Sequence, residues 1–252
     1  DYTLNHSMNV CVLSVALGYR LGLDRKRLAD LGVAALFHDV GKIGIPKEIL
    51  TKPAKLTNEE FEIIKTHPFQ GAEILTLIRG FRTRPVRAIL VALEHHMGKD
   101  YKGYPNVPIK KDLNLFSKIV TIVDVFDAMT TPRIYMKRAF KRDEALRIMM
   151  KDSGKKFDPL LLKAFISMLG LFPIGSLALL NTGELAVVFE TNRDPVLFEK
   201  PKVKLITDKE GNMIDGPVID LASRSQDETG TRRVIVKTID PEKYGIDVTA
   251  YF

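Results

Sequence analysis

The sequence predicts a mainly α protein: an all-α helical bundle followed by a small β-rich C-terminal part. Three observations carry this. Apolar residues recur at helical spacing through about residue 170. Around Phe172-Pro173 the period changes from helical to alternating. All five histidines lie within the first 96 residues, each at or near an expected helix end. The boundaries expected are 1–172 for the helical domain and 173–252 for the β-rich subdomain.

The elements follow in order. Leu4, Met8, Val12, Val15 and Leu17 predict a helix over 4–21, with His6 in its first turns. Asp24 is placed to cap a second helix over 24–38. The stretch His38-Asp39-Val40-Gly41-Lys42-Ile43-Gly44-Ile45-Pro46 stops that helix with two glycines and a proline. After a connector, Thr57-Asn58-Glu59-Glu60 reads as a capping box opening a helix through Ile64. His67-Pro68 starts the next helix, carrying Ile74, Leu75 and Ile78. Pro85 opens another that runs into Glu94-His95-His96.

A Gly/Pro/Tyr/Lys loop covers 97–108, and Leu113 to Met129 is helical, with Asp124 and Asp127 three apart. Two more helices are expected over 143–150 and 158–169, the latter with Asp158 as cap and Pro159 at its first position. Strands are expected over 176–180, 184–190, 202–207, 213–221 and 232–239, with Asn181-Thr182-Gly183 as a hairpin turn.

Composition excludes several classes. Apolar content of 45% and charged content of 27% describe an ordinary globular chain, with no run near the roughly 18 apolar residues of a membrane span. A single cysteine, Cys11, rules out a disulfide framework and suits a reducing compartment. The chain begins at Asp1 inside an expected helix, as an excised part of something longer would. The net charge of +7 invites an anionic partner. Lysines and arginines spread along the whole chain read first as a solvated surface, and no nucleic-acid motif accompanies them.

Alone, His38-Asp39 is a glycine-stopped helix end with a solvated histidine. The other histidines change that. Residues 38 and 67 are 29 apart, 67 and 95 are 28 apart, and 96 and Asp124 are 28 apart. Antiparallel helices of such a repeat bring their ends back to one region. Five imidazoles and two carboxylates are too many for one ion and suit two first-row metals bridged by a carboxylate. A nitrogen- and oxygen-rich donor set without thiolate favours Fe, Mn or Zn over Mg or Ca.

His38-Asp39-Val40-Gly41-Lys42, His67-Pro68, His95-His96, Gly103-Tyr104-Pro105 and Asp124-Val125-Phe126-Asp127-Ala128-Met129-Thr130 resemble the HD-GYP family of HD-domain metal-dependent phosphohydrolases. The resemblance runs from about residue 4 to about residue 170, and it implies an all-α HD-domain bundle hydrolysing cyclic di-GMP to pGpG, GMP or both.

Carried over, it implies that His6, His38, Asp39 and Asp124 hold one metal, and that Asp39 bridges to a second held by His67, His95 and His96. The two ions would be Fe, or alternatively Mn, with a hydroxide bridging them as nucleophile. Lys42 matches a lysine near the scissile phosphate, and Asp39 and Lys42 are the catalytic pair expected. Gly103, Tyr104, Pro105, Arg133 and Lys137 are the expected substrate contacts beside Lys42.

The implied partners are cyclic di-GMP, an upstream sensory region and diguanylate cyclases, in a cytoplasmic setting and without a nucleic-acid polymer. Oligomeric state stays open, with a dimer one option. The chain departs from the family pattern at Tyr2 (where some members have a third-metal glutamate), at Met97 and at Tyr101. Two alternatives follow: a cyclic dinucleotide sensor with little turnover, and a hydrolase of hybrid cyclic dinucleotides. Asp127 is expected to orient a ligand histidine, and Asp100 to form an Asx turn.

Overall fold

The computed structural model describes residues 2–78, 85–108, 112–132, 139–192, 197, 199–223 and 226–251, with the side chains of 4 onward in the first helix. Nine α-helices appear among them: α1 Tyr2–Arg20, α2 Arg25–Leu36, α3 Lys47–Leu50, α4 Asn58–Ile64, α5 His67–Leu77, α6 Val86–Glu94, α7 Leu115–Thr130, α8 Arg142–Lys151 and α9 Pro159–Leu169. Five strands follow: β1 Leu177–Leu180, β2 Leu185–Glu190, β3 Lys202–Leu205, β4 Val218–Asp220 and β5 Ile235–Ile239. No helix among the described residues is long and apolar enough to cross a membrane.

Local chemistry accounts for the helix starts. Asp24 accepts a hydrogen bond from Arg27 N and caps α2. Thr57 and Glu60 form the reciprocal capping box of α4. Asn114 caps α7 through Phe116 N, and Asp158 accepts from Leu160 N and Leu161 N at the start of α9. The connector before α4 contains the short helix α3, which the sequence pattern did not predict; four residues carry too little periodicity to register.

Contacts divide the chain into two compact units. One comprises 1–140 and 147–165, the other 141–146 and 166–252, so residues 141–146 and 166–172 group with the strands. In the first, α7 is the central helix: ten of its sixteen residues are buried, including Ile119, Val120, Ile122, Val123 and Phe126. Helix α1 packs on α2 and α7, α2 on α6, and α5 on α6. In the second, the strands form one antiparallel sheet in the order β4-β3-β2-β1-β5. Its core gathers Leu177, Val187 and Ile206. The expected strand over 213–221 shrinks to Val218–Asp220, with an isolated bridge between Thr207 and Met213.

Residues Val40–Gly44 form a 3₁₀ turn that lies against α5. A β-carbon on Gly41 would run into His67 O and Gly71 N, and one on Gly44 into the Gln70 side chain. In sequence the two glycines read as a helix stop. The structure adds a second reason: without side chains, the turn carrying Asp39 and Lys42 can press directly onto the helix carrying His67.

Candidate metal centre

Six of the seven donors are delivered by a helix end or by the turn after it. His6 comes from the first turns of α1, His38 and Asp39 from the end of α2, and His67 from the first residue of α5. His95 and His96 follow α6, and Asp124 sits in mid-α7. The fold gathers all seven into two groups whose donor atoms lie within 4.8 Å of one another: Asp39, His67, His95 and His96, and His6, His38 and Asp124. His6, His38, Asp39, His67, His95 and Asp124 are buried.

Four of the imidazoles have their Nδ1 atoms engaged. His38 Nδ1 donates to Ala35 O at 2.7 Å and His67 Nδ1 to Ile64 O at 2.7 Å. His95 Nδ1 shares its proton between Val91 O and Ala92 O, both at 3.0 Å. His6 Nδ1 donates to Asp127 Oδ2 at 2.6 Å, which is the orienting role expected of Asp127. Carbonyls and carboxylates only accept, so each ring in its neutral form carries its proton on Nδ1 and its lone pair on Nε2. This hydrogen-bonding pattern is the one that aims metal-ligating histidines.

The lone pairs point at one another and at carboxylates. His67 Nε2 and His95 Nε2 face each other at 3.3 Å. His6 Nε2 lies 3.1 Å from Asp124 Oδ1. Asp39 divides its two oxygens: Oδ1 is 3.3 Å from His67 Nε2 and 3.7 Å from His95 Nε2, while Oδ2 is 3.3 Å from His38 Nε2 and 3.8 Å from His6 Nε2. Buried His38 Nε2 and Asp39 Oδ1 have no hydrogen-bond partner among the described residues. Orphaned buried acceptors are costly unless a cation satisfies them, so the residues fit divalent metal.

Without a cation, the two sides of the centre are held differently: protons take a metal's place beside the carboxylates. Against the effect of burial, the Asp39 and Asp124 carboxylates push the His38 imidazole up to about 10. Both carboxylates stay well below their usual range despite burial, Asp39 through Lys42 and His38, Asp124 through His38 and His6. On the other side, burial and His95 push His67 down to about 4, and burial with His95 holds His96 well below its ordinary value. The His67 ring itself therefore stays neutral and keeps its Nε2 lone pair free to bind a metal.

A cavity of about 1560 Å³ opens over this centre. That exceeds the roughly 300–1,000 Å³ of most small-molecule pockets. Lys42, Gly103 and Tyr104 line it. Lys42 Nζ lies 2.5 Å from Asp39 Oδ2. The Tyr104 ring stacks at a tilt on His96, 4.7 Å between centroids, and meets Phe61 edge-on at 6.0 Å. Burial, then Asp124 and Asp39, raise the Tyr104 phenol, so it stays a neutral donor. Gly103 presses its backbone on His96 O, where a β-carbon has no room, and Pro105 is buried beside it. Arg133 and Lys137 lie outside the described residues, as does the Tyr2 side chain.

Asp100 forms the expected Asx turn, accepting from Lys102 N at 3.2 Å. Tyr101 is the one described non-glycine residue with positive φ, at 58°. Met97 is buried under the cavity floor, 2% exposed. Sequence reasoning missed Asn9, which donates to Asp127 Oδ1 at 2.9 Å. It also missed the cavity lysines Lys47, Lys55, Lys102, Lys155 and Lys156 and the ring of Phe61. Spacing offers no signal for these, because lysine is an ordinary surface residue.

A family model described as "HD domain" matches residues 3–161. Over 229 residues the chain is 36% identical to the cyclic di-GMP phosphodiesterase PA4108 of Pseudomonas aeruginosa, covering 90% of this chain and 53% of that protein. It is 33% identical over 172 residues to the 3′3′-cGAMP-specific phosphodiesterase 3 of Vibrio cholerae, covering 68% of this chain and 36% of that one. The chain thus spans about half the length of the first relative and about a third of the second. Among solved structures, an HDG"Y"P protein from Bdellovibrio bacteriovorus superposes with a TM-score of 0.55 at 23% identity, covering 66% of this chain and 52% of that one.

Proposed function

The chain belongs to the HD-domain family, and from that premise we propose that it is a metal-dependent phosphodiesterase that hydrolyses cyclic di-GMP to pGpG, GMP or both. One observation carries the reading. His67 Nε2 and His95 Nε2 face each other at 3.3 Å across a gap that the Asp39 carboxylate also enters. A divalent cation in that gap would satisfy both nitrogens and the carboxylate oxygen at once.

One ion would sit among His6, His38, Asp124 and Asp39 Oδ2, and a second among His67, His95, His96 and Asp39 Oδ1. The donor set suits iron, with manganese the alternative. Two such ions lower the pKa of a water and offset the charge of phosphate oxygens. The chain's own groups do the rest. Asp39 holds the centre together, and Lys42, hydrogen-bonded to it at the cavity wall, offsets charge developing on the phosphate. Tyr104 presents a neutral phenol to the same cavity, and Phe61 and Tyr104 supply flat faces for a purine. Arg133 and Lys137 would add cationic contacts to the phosphates. The setting proposed is the cytosolic output part of a larger sensor.

The test is turnover. Protein loaded with Fe(II) or Mn(II) under reducing conditions should convert cyclic di-GMP to pGpG or GMP on a chromatogram, with two ions per chain by elemental analysis. Asp39→Ala should lose both ions and all product. Saturable binding without product at stoichiometric enzyme would overturn the enzymatic reading. A second reading, hydrolysis of a hybrid cyclic dinucleotide, is favoured by the likeness to the Vibrio protein named for 3′3′-cGAMP. Parallel assays with both nucleotides separate the two.

A further inference from the structure

A cyclic dinucleotide carries two phosphodiesters, and only one can occupy the metal centre at a time. We propose that the turn over residues 152–157, between α8 and α9, holds the other one through Lys155 and Lys156; this rests on the cyclic dinucleotide reading above.

Both lysines line the cavity that also contains His6, Asp39 and His96. Their segment is built, not loose. Lys155 N and Lys156 N donate to Asp152 O at 3.1 and 3.0 Å, and Gly154 N donates to Phe157 O at 2.9 Å. Gly154 takes the positive φ of 82° that closes the turn, and buried Phe157 anchors it. The Lys156 ammonium lies 5.8 Å from the Phe157 ring.

The turn is also tied to the metal centre through backbone alone. Lys156 O accepts from Lys99 N at 3.1 Å and Lys155 O from Asp100 N at 2.9 Å. The far end of that loop returns to the donor histidines: Gly103 N donates to Met97 O at 2.9 Å and Tyr104 N to His96 O at 3.1 Å. A short path of backbone hydrogen bonds thus fixes the two lysines relative to a metal donor. The backbone of both lysines is thereby held at the cavity wall, with Lys155 exposed and Lys156 half-buried.

Charge completes the argument. Lys42 and Lys52 on the same cavity are paired with Asp39 and Glu60. Among the described residues, Lys155 and Lys156 have no carboxylate partner, although exposed Asp152 is on the same turn. Unpaired ammonium groups on a concave wall concentrate an anion there.

The experiment uses the Mn-loaded chain with two substrates, cyclic di-GMP and bis(p-nitrophenyl) phosphate, which has a single phosphodiester. The double variant Lys155→Ala/Lys156→Ala should raise KM for cyclic di-GMP about tenfold, as loss of charge-assisted hydrogen bonds does. The loss on the single-diester probe should be much smaller, and Lys155→Arg/Lys156→Arg should restore most of the affinity. An unchanged KM for cyclic di-GMP, or equal losses on both substrates, overturns the subsite. If the unmodified protein turns over bis(p-nitrophenyl) phosphate but neither binds nor cleaves cyclic di-GMP, the substrate assignment itself falls, and the subsite with it.

Discussion

Asp127 shows how much one carboxylate outside the donor set can do. It accepts from His6 Nδ1 at 2.6 Å, Asn9 Nδ2 at 2.9 Å and Thr131 Oγ1 at 3.0 Å, so it fixes both the tautomer and the tilt of His6. Asp127→Asn should lower metal affinity by roughly 10–100-fold, measured by competition with a chelating dye. Tyr101 poses a different question. A φ of 58° costs little for asparagine and much for a β-branched residue. Tyr101→Val and Tyr101→Asn both lose the ring, so their difference isolates the backbone. The valine variant should be less stable by about 1 kcal/mol, or roughly 2–4 °C in Tm. Equal melting of the two would mean the loop relaxes at no cost.

Among the elements, α4 matters beyond its seven residues. Its capping box holds the helix that carries Phe61 and Ile64 to the cavity wall. Thr57→Ala removes one half of that box and should cost about 1 kcal/mol, read as a shift in the urea midpoint. KM for the nucleotide should rise with it if Phe61 stacks on a base. The box was legible because its signature is four consecutive residues. Helix α3 was not, and neither was the turn at 152–157, whose role depends on a loop some fifty residues earlier. The packing role of the glycines in the 3₁₀ turn Val40–Gly44 was hidden for a related reason. A glycine needed for close packing and a glycine needed for a bend look the same in sequence.

For the molecule as a whole, acid should act on the strand-bearing unit through Glu184. Arg233 donates to it from Nε and Nη2, both at 2.7 Å, and holds its carboxyl below the ordinary value of 4.5. A carboxyl depressed in the folded state stabilises above its unfolded pKa and loses that stabilisation as pH falls through the folded one. Melting temperature should therefore decline below pH 4.5, and Glu184→Gln should flatten that decline. If the variant and the parent lose stability in parallel with acid, the pair is not responsible. The histidine-rich unit draws on a different source. Seven donors, six of them buried, are gathered only in the folded chain, so a cation that binds them stabilises that state: Mn(II) should raise Tm and a chelator reverse it.

The sequence by itself determined the chemistry that could be assembled: five histidines near helix ends whose caps and periods are local, with Asp39, Lys42 and Asp124. Those signals extend over three or four residues, which is why most element starts were readable. Only the tertiary structure decided that Asp39 turns one oxygen to each group of donors, that Gly41 admits α5, and that lysines from three connectors share one cavity. The reason is geometric. A 28-residue spacing brings helix ends back to the same region, but it takes the packing of α1, α2, α5, α6 and α7 to set lone pairs 3.3 Å apart.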